Sequence, residues 1–246
     1  MSNPEEKSTT SKKKIIINEN GSYLVQGKIP LVHKTQVVSE FGEPLTWKKD
    51  GDIETEAEQY ELCRCGQSSI MPFCDNTHIL VFFDGTETAN THGPSDHQVT
   101  YPGGTHLIVK NDYPLCMDSG YCRMHDGDIA DFIKGSSDTK VRSMVMAMVE
   151  RCPSGALTYK IEEGETDIEP DLPQQIADTT EITSSGPIQG PITVSGYIEI
   201  ERSDGKPFDT RNRVTLCNCG LSSKKPLCDG THRKVFEKQA KKQKAK

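Results

Sequence analysis

The chain has 246 residues, of which 33% are hydrophobic and 26% are charged, and its formal net charge is −7. The length accommodates one large domain or two or three small ones, and the low apolar content predicts small cores. The longest apolar runs, such as 79–83, are far shorter than the ~20 residues of a transmembrane helix. The polar start after Met1 argues against a secretory signal, and the acidic balance argues against a nucleic-acid groove. We therefore expect a cytoplasmic protein that binds neither a membrane nor nucleic acid.

An internal repeat relates the first and last thirds of the chain. Three pairs of segments align: 21–29 with 190–198, 41–44 with 204–207, and 62–66 with 216–220. The first pair alternates apolar and polar residues, which predicts strands, and the second pair contains turn signals. The first repeat holds nine extra residues between its turn proline and its first cysteine, and we expect residues 47–58 to form a longer hairpin or loop.

The segment between the repeats has a different pattern. Residues 105–110 and 156–161 read as strands, and Asp138 can cap a helix that ends at Cys152. The apolar stripe of that helix comprises Val141, Met144, Val145, Met148 and Val149. Residues 162–185 hold eight acidic residues and no lysine or arginine, which predicts a solvated linker.

Nine cysteines fall into three groups of three. The groups are Cys63, Cys65 and Cys74; Cys116, Cys122 and Cys152; and Cys217, Cys219 and Cys228. Without a secretory signal the compartment is expected to be reducing, where clustered cysteines are more often metal ligands than disulfide partners. Groups of three also fit a disulfide framework poorly, because each group would leave one thiol over.

The first and last groups share one spacing: Cys-x-Cys, a third cysteine nine residues on, and a histidine four residues further. The two sets are Cys63, Cys65, Cys74 and His78, and Cys217, Cys219, Cys228 and His232. Three thiolates and one imidazole form a four-ligand set. Zinc also accepts a Cys3His set, so spacing alone leaves a zinc-stabilised module open.

Both sets resemble the CDGSH iron–sulfur domain family, whose motif is Cys-x-Cys-x2-(Ser/Thr)-x3-Pro-x-Cys-Asp-Gly-(Ser/Thr/Ala)-His. The second copy fits throughout, whereas the first has Asn76 where the family has glycine. If the position needs a positive φ, asparagine is among the least costly substitutes. The resemblance implies a [2Fe–2S] cluster in each copy, with the Cys-x-Cys pair on one iron and the third cysteine and the histidine on the other.

A histidine ligand has two expected consequences. Replacing a thiolate by a neutral imidazole removes a negative charge, which should raise the reduction potential. Protonation of His78 or His232 should compete with iron, which predicts proton-coupled redox chemistry and cluster loss at acid pH. Substitution of either histidine by cysteine should slow that loss.

The middle group, Cys116-x5-Cys122 with a distant Cys152-Pro153, resembles single-cluster bacterial-type ferredoxins. Ser119 stands where the second of their clustered cysteines would be, so the pattern is similar to that of the [3Fe–4S] members. A [4Fe–4S] cluster would need a fourth ligand from Ser119, Asp118 or solvent. The alternative is a degenerate domain with three ordinary thiols.

Together these patterns predict an α+β protein with two small β-rich CDGSH units flanking a ferredoxin-like α+β unit. The expected divisions are a disordered tail 1–13, a first CDGSH domain 14–100, a ferredoxin-like domain 101–161, an acidic linker 162–185, a second CDGSH domain 186–236 and a basic tail 237–246. Because CDGSH units often pair about a two-fold axis, the repeat predicts an intramolecular pseudo-dimer.

The leading hypothesis for function is a carrier in electron transfer or iron–sulfur cluster transfer rather than an enzyme. Its expected partners are redox proteins or apo-acceptor proteins. Three alternatives remain at this point: an electron-donating accessory subunit of an oxidoreductase, a redox or pH sensor, and a zinc-stabilised interaction module.

Overall fold

A computed structural model describes residues 12–55, 58–91 and 96–236. The predicted α+β class is confirmed, since the described residues are rich in β-strands and contain few helices. The strands are β1 Lys14–Ile17, β2 Tyr23–Gln26, β3 Leu31–Val38, β4 Pro44–Ile53, β5 Gln59–Leu62, β6 Gln98–Thr100, β7 Ile108–Asp112, β8 Arg123–Met124, β9 Gly127–Asp128, β10 Leu157–Lys160, β11 Gln175–Thr183, β12 Gly186–Gln189, β13 Ile192–Ser195, β14 Glu199–Glu201 and β15 Arg213–Leu216. The α-helices include α1 Thr77–Leu80, α2 Ile129–Phe132 and α3 Thr139–Arg151, with 3-10 turns at Tyr113–Leu115 and Ile133–Gly135, and residues 231–236 are helical as well. Of the two predicted tails, residues 1–11 and 237–246 lie outside the described residues.

The two repeats exchange strands. One sheet has the order β14-β1-β2-β5, so a strand of the last third completes a sheet of the first third. The other main sheet has the order β15-β13-β11-β3-β4, with β12 beside β11, and here the first third supplies two strands. The exchanged pairs β1–β14 and β11–β3 are both parallel, whereas their other neighbours are antiparallel. Each main sheet therefore contains strands from both repeats.

The prediction of a solvated linker at 162–185 is wrong for its second half. β11 occupies Gln175–Thr183, with Ile176 and Ala177 fully buried between β3 and β13. Two of its acidic side chains form ion pairs with side chains of other segments. Asp178 contacts His33, and Glu181 contacts Arg233 near the carboxyl end of the second repeat. The second repeat therefore starts its sheet before residue 186, the boundary expected from the sequence.

Several local predictions agree with the structure. β4 pairs with β3 as a hairpin, as expected for the nine-residue insertion. The carboxylate of Asp138 accepts hydrogen bonds from the backbone N–H groups of Lys140 and Val141 and caps α3, which ends at Arg151 with Cys152 as its C-cap. The strand expected at 105–110 is shifted to Ile108–Asp112.

A single buried apolar cluster joins the three parts of the chain. It contains Val25 of the first third, Val145 and Val149 of α3, and Ile192 and Leu216 of the last third. The parts therefore pack as neighbours around a common core. No helix in the described ranges is long and apolar enough to cross a bilayer.

Candidate metal centres

The first donor set lies where β5 ends. The Sγ atoms of Cys63 and Cys65 are 3.8 Å apart, and Cys63 N donates to the carbonyl of Pro72 at 2.8 Å. The Sγ of Cys74 lies 3.4 Å from Nδ1 of His78, because a turn at Asn76, which has a φ of 66°, leads from Cys74 into the one-turn helix α1 that carries His78. The loop thus presents two close pairs of donors.

The last donor set repeats this geometry after β15. The Sγ atoms of Cys217 and Cys219 are 3.6 Å apart, and the Sγ of Cys228 lies 3.4 Å from Nδ1 of His232. The motif's other polar residues hold the loop in shape: Ser222 Oγ donates to the carbonyl of Leu227 at 2.7 Å. In the first copy, Ser68 Oγ donates to the carbonyl of Phe73. The carboxylate of Asp75 accepts hydrogen bonds from the backbone N–H groups of Ser69 and Thr77. The carboxylate of Asp229 accepts the equivalent bonds from Ser223 and Thr231.

The arrangement in pairs suits two metal ions better than one. Within the described ranges, no three His, Cys, Asp or Glu side chains converge on a position for a single ion. A mononuclear Cys3His zinc site needs all four donors around one point, whereas a two-iron cluster takes two donors at each iron. Each donor set therefore consists of two pairs, which is the arrangement that a two-iron cluster takes.

The chemistry of the thiols also fits a cationic occupant. Burial raises the pKa of Cys65 to about 11 and that of Cys228 to about 12, so thiolates there need a compensating charge. The N–H groups of Asn76 and Gly230 each lie 3.4 Å from the Sγ of the cysteine two residues earlier, where they stabilise a thiolate. All nine cysteines are free thiols.

The middle cysteines line one cavity of about 190 Å³. Asp118 and Ser119, the two side chains considered as a fourth ligand, line the same cavity. Burial raises the pKa of Cys122 to about 11, and the neighbouring charges of Cys152 and Cys116 add to the effect. The three thiols thus surround a space, as ligands on separate irons of a cubane cluster would.

Comparison with known families agrees with this division. The family described as "Iron-binding zinc finger CDGSH type" matches residues 20–79 and 189–233, and the family described as "Divergent 4Fe-4S mono-cluster" matches residues 103–162. The chain is a double-CDGSH iron–sulfur protein with a divergent 4Fe-4S mono-cluster region between its two copies. Comparison with curated proteins gave no significant match.

The two CDGSH loops contact each other through glycines. A Cβ on Gly66 would lie 2.7 Å from the carbonyl oxygen of Cys219, and a Cβ on Gly220 would lie 2.6 Å from that of Cys65. Both glycines also have a positive φ, of 73° and 75°. Tyr23 adds a bridge, since its hydroxyl donates to the carbonyl of Cys217 at 2.7 Å.

The second CDGSH loop also contacts the cluster loop of the middle region. Arg233 Nη1 donates to the carbonyls of Met117 at 2.9 Å and Asp118 at 2.7 Å. Lys224 Nζ donates to the carbonyls of Pro114, at 2.8 Å, and Cys116. The second CDGSH loop therefore contacts both the first CDGSH loop and the cluster loop of the middle region.

The histidines of the two copies have different surroundings. His232 is 1% exposed, and its Nε2 donates to the carboxylate of Glu181 at 3.0 Å. Arg233 holds the same carboxylate with two nitrogens, at 2.7 and 2.8 Å. Burial alone would raise the pKa of Glu181, but the hydrogen bond from His232 and the charge of Arg233 outweigh it and lower the pKa. His78 is only half-buried, and no carboxylate of the described residues lies within hydrogen-bond distance of its Nε2.

Sequence reasoning missed Glu181, Arg233 and Lys224. Glu181 was assigned to the linker, and its acidic neighbours gave no sign of a buried partner. The basic residues did carry a signal, because positions 224 and 233 are apolar in the first repeat, as Ile70 and Ile79. His125, which follows Cys122 closely in the sequence, lies in the turn between β8 and β9 and stacks on Phe41.

Proposed function

We propose that this iron–sulfur protein is an electron carrier with three centres in a row. The observation that carries the proposal is the contact of the three donor loops: the middle loop touches the second CDGSH loop, which touches the first. Short distances between centres favour electron exchange within one chain. A carrier of this kind needs no substrate pocket, which agrees with a non-enzymatic role.

The proposed ligands follow the donor pairs. In each CDGSH copy the Cys-x-Cys pair holds one iron of a [2Fe–2S] cluster, and the third cysteine and the histidine hold the other. Cys116, Cys122 and Cys152 hold a [3Fe–4S] cluster, or a [4Fe–4S] cluster if Asp118 or Ser119 adds a ligand. Such clusters accept and release single electrons. The protein's own contribution is to hold the donors in place and to set their burial.

The pairing of the CDGSH copies within one chain is part of the proposal. The parallel exchange pairs β1–β14 and β11–β3 and the reciprocal contacts of Gly66 and Gly220 support a pseudo-two-fold arrangement. An internal pseudo-dimer would keep the two sites at a fixed separation without a second chain.

Cluster donation from the first copy is the second candidate. Cys74 and His78 are partly exposed, whereas Cys228 and His232 are 2% and 1% exposed. An acceptor protein could reach the first pair of ligands directly. The apo-acceptor would then compete for the first cluster alone.

Metal analysis after anaerobic purification tests the proposal. We expect about seven irons with eight sulfides, or about eight of each. The [2Fe–2S] clusters and a [4Fe–4S] cluster should give EPR signals after reduction, whereas a [3Fe–4S] cluster should give its signal in the oxidised protein. About four of each would leave the middle region without a cluster and remove the three-centre carrier. Colourless protein that holds zinc without sulfide, even after anaerobic reconstitution, would contradict the redox function.

A further inference from the structure

At the two positions where the second copy contacts the middle region, the first copy has residues of different chemistry. In the second copy, Lys224 and Arg233 donate hydrogen bonds to backbone carbonyls of the middle region's cluster loop. The corresponding residues of the first copy are Ile70 and Ile79, which are 54% and 64% exposed. The place that the middle region takes at the second site is therefore open at the first site among the described residues.

The open place is an apolar surface. Its large apolar side chains are 46–92% exposed and flank the Cys74–His78 pair, and we call them the first-site face: Ile70, Ile79, Leu80, Val81 and Phe82. Four of the five are consecutive and follow His78 directly. Contiguous exposed apolar residues of this kind mark interaction sites more often than ordinary surface.

The charges of the two copies are opposite. Residues 58–82 contain three acidic residues and one basic residue, Arg64, which is buried. The corresponding stretch 212–236 contains one acidic residue and five basic residues. Glu61 is exposed and its backbone carbonyl accepts a hydrogen bond from Cys74, while the exposed Asp84 lies two residues after Phe82. A partner for this face should thus present an apolar centre bordered by lysine or arginine.

We propose that the first-site face docks a redox protein whose cofactor edge is apolar and ringed by basic side chains. The inference rests on the proposed electron-carrier function and names the partner of its first site. In the transfer step the reduced protein loses one electron and one ferric haem or equivalent acceptor gains it, with no bond made or broken. The partner would lie over Cys74 and His78 as the middle region lies over Cys228 and His232.

A basic c-type cytochrome, whose haem edge is ringed by lysines, is a suitable probe. Stopped-flow oxidation of the anaerobically reduced full chain gives a second-order rate constant, which should fall as salt is added. The double variant Ile70→Lys with Ile79→Arg installs the residues of the second copy and should lower the rate constant at least tenfold. The matched control, Val37→Lys with Val99→Arg, alters two exposed apolar residues elsewhere and should leave it unchanged.

A small neutral quinone separates docking from electron release. The double variant should reduce the quinone at the wild-type rate and keep wild-type iron content and EPR signals. A wild-type cytochrome rate in that variant would overturn the docking proposal and leave the electron-carrier function standing. Failure of the wild-type protein to reduce either acceptor would remove the carrier function and the docking with it.

Self-association is the competing use of the same face. Sedimentation of the wild-type protein at increasing concentration should show a monomer. A dimer that the double variant abolishes, with no effect on the cytochrome rate, would assign the face to a second copy of this chain and overturn the proposal.

Discussion

The two CDGSH copies have nearly the same donor geometry and opposite surroundings. Their thiol–imidazole distances are both 3.4 Å, yet one histidine is half-buried and the other is 1% exposed beside Glu181. The difference comes from what packs on each loop: the middle region covers the second copy, and the first copy keeps its apolar rim in solvent. One motif can therefore provide an accessible site and an enclosed site in the same chain.

The motif's glycine position shows the same contrast. Asn76 has a φ of 66° and Gly230 a φ of 81°, so both copies use the left-handed region. A Cβ on Gly230 would lie 2.6 Å from the carbonyl oxygen of Met117, whereas Asn76 is exposed. Glycine is thus needed in the second copy for close approach as well as for its φ, and asparagine suffices in the first.

The largest expected effect comes from the contact between the copies. Gly66→Ala and Gly220→Ala each place a methyl group against a carbonyl of the other loop, and we expect losses of about 3–5 kcal/mol in the free energy of unfolding. Each variant should lower the iron content of both CDGSH sites. Gly205→Ala is the matched control, because Gly205 has a φ of 67° with nothing within 4 Å of its Cβ position. Its expected cost is about 1 kcal/mol, and an equal cost in all three would show that backbone strain alone matters.

Exchanging the residues at the motif's glycine position should destabilise the second copy only. Gly230→Asn should push the Met117 loop away and cost about 2–3 kcal/mol, whereas Asn76→Gly should change the free energy of unfolding by less than about 1 kcal/mol. Thermal or denaturant unfolding measures both. Equal effects of the two substitutions would contradict the claim that the middle region distinguishes the copies.

Removal of the carboxylate beside His232 should shift one potential. Glu181→Gln keeps the shape but removes a negative charge that supports the imidazole, so the second-site potential should rise, on the order of 50 mV. EPR-monitored redox titration resolves this shift, and the first-site potential should not change. A shift in the potentials of both sites, or of neither, would contradict the claim that Glu181 acts on the second cluster through its hydrogen bond with His232.

The smallest expected effect concerns acid loss of the clusters. His78→Cys should slow the acid bleaching of the first cluster several-fold, because protons compete with iron for an imidazole ligand and solvent reaches the half-buried His78. His232→Cys should slow the bleaching of the second cluster less, since that enclosed cluster is lost more slowly in the wild-type protein. Stopped-flow absorbance after a pH jump measures both rates. Unchanged pH dependence in both variants would show that the imidazoles are not the labile ligands.

The sequence was sufficient for the donor sets and insufficient for their surroundings. Fixed spacing and local turns bring Cys74 to His78, so the pairs follow from short-range geometry. The role of Glu181 depends on a parallel strand pairing between distant segments, which no local pattern records. The same long-range pairing explains why an acidic segment became the buried strand β11: its partners His33 and Arg233 lie 145 and 52 residues away.

Freeze-quench EPR of the reduced protein mixed with the basic cytochrome tests the three-centre row most directly. In the wild-type protein the first and middle clusters should be oxidised together, because electrons from the middle region pass through the second copy. Oxidation is seen as loss of the signal of a reduced [2Fe–2S] or [4Fe–4S] cluster, or as gain of the signal of an oxidised [3Fe–4S] cluster. Cys228→Ser, provided that its circular dichroism and first-site signal match the wild type, should oxidise the first cluster while the middle cluster stays reduced. Oxidation of the middle cluster at the wild-type rate in that variant would contradict the account.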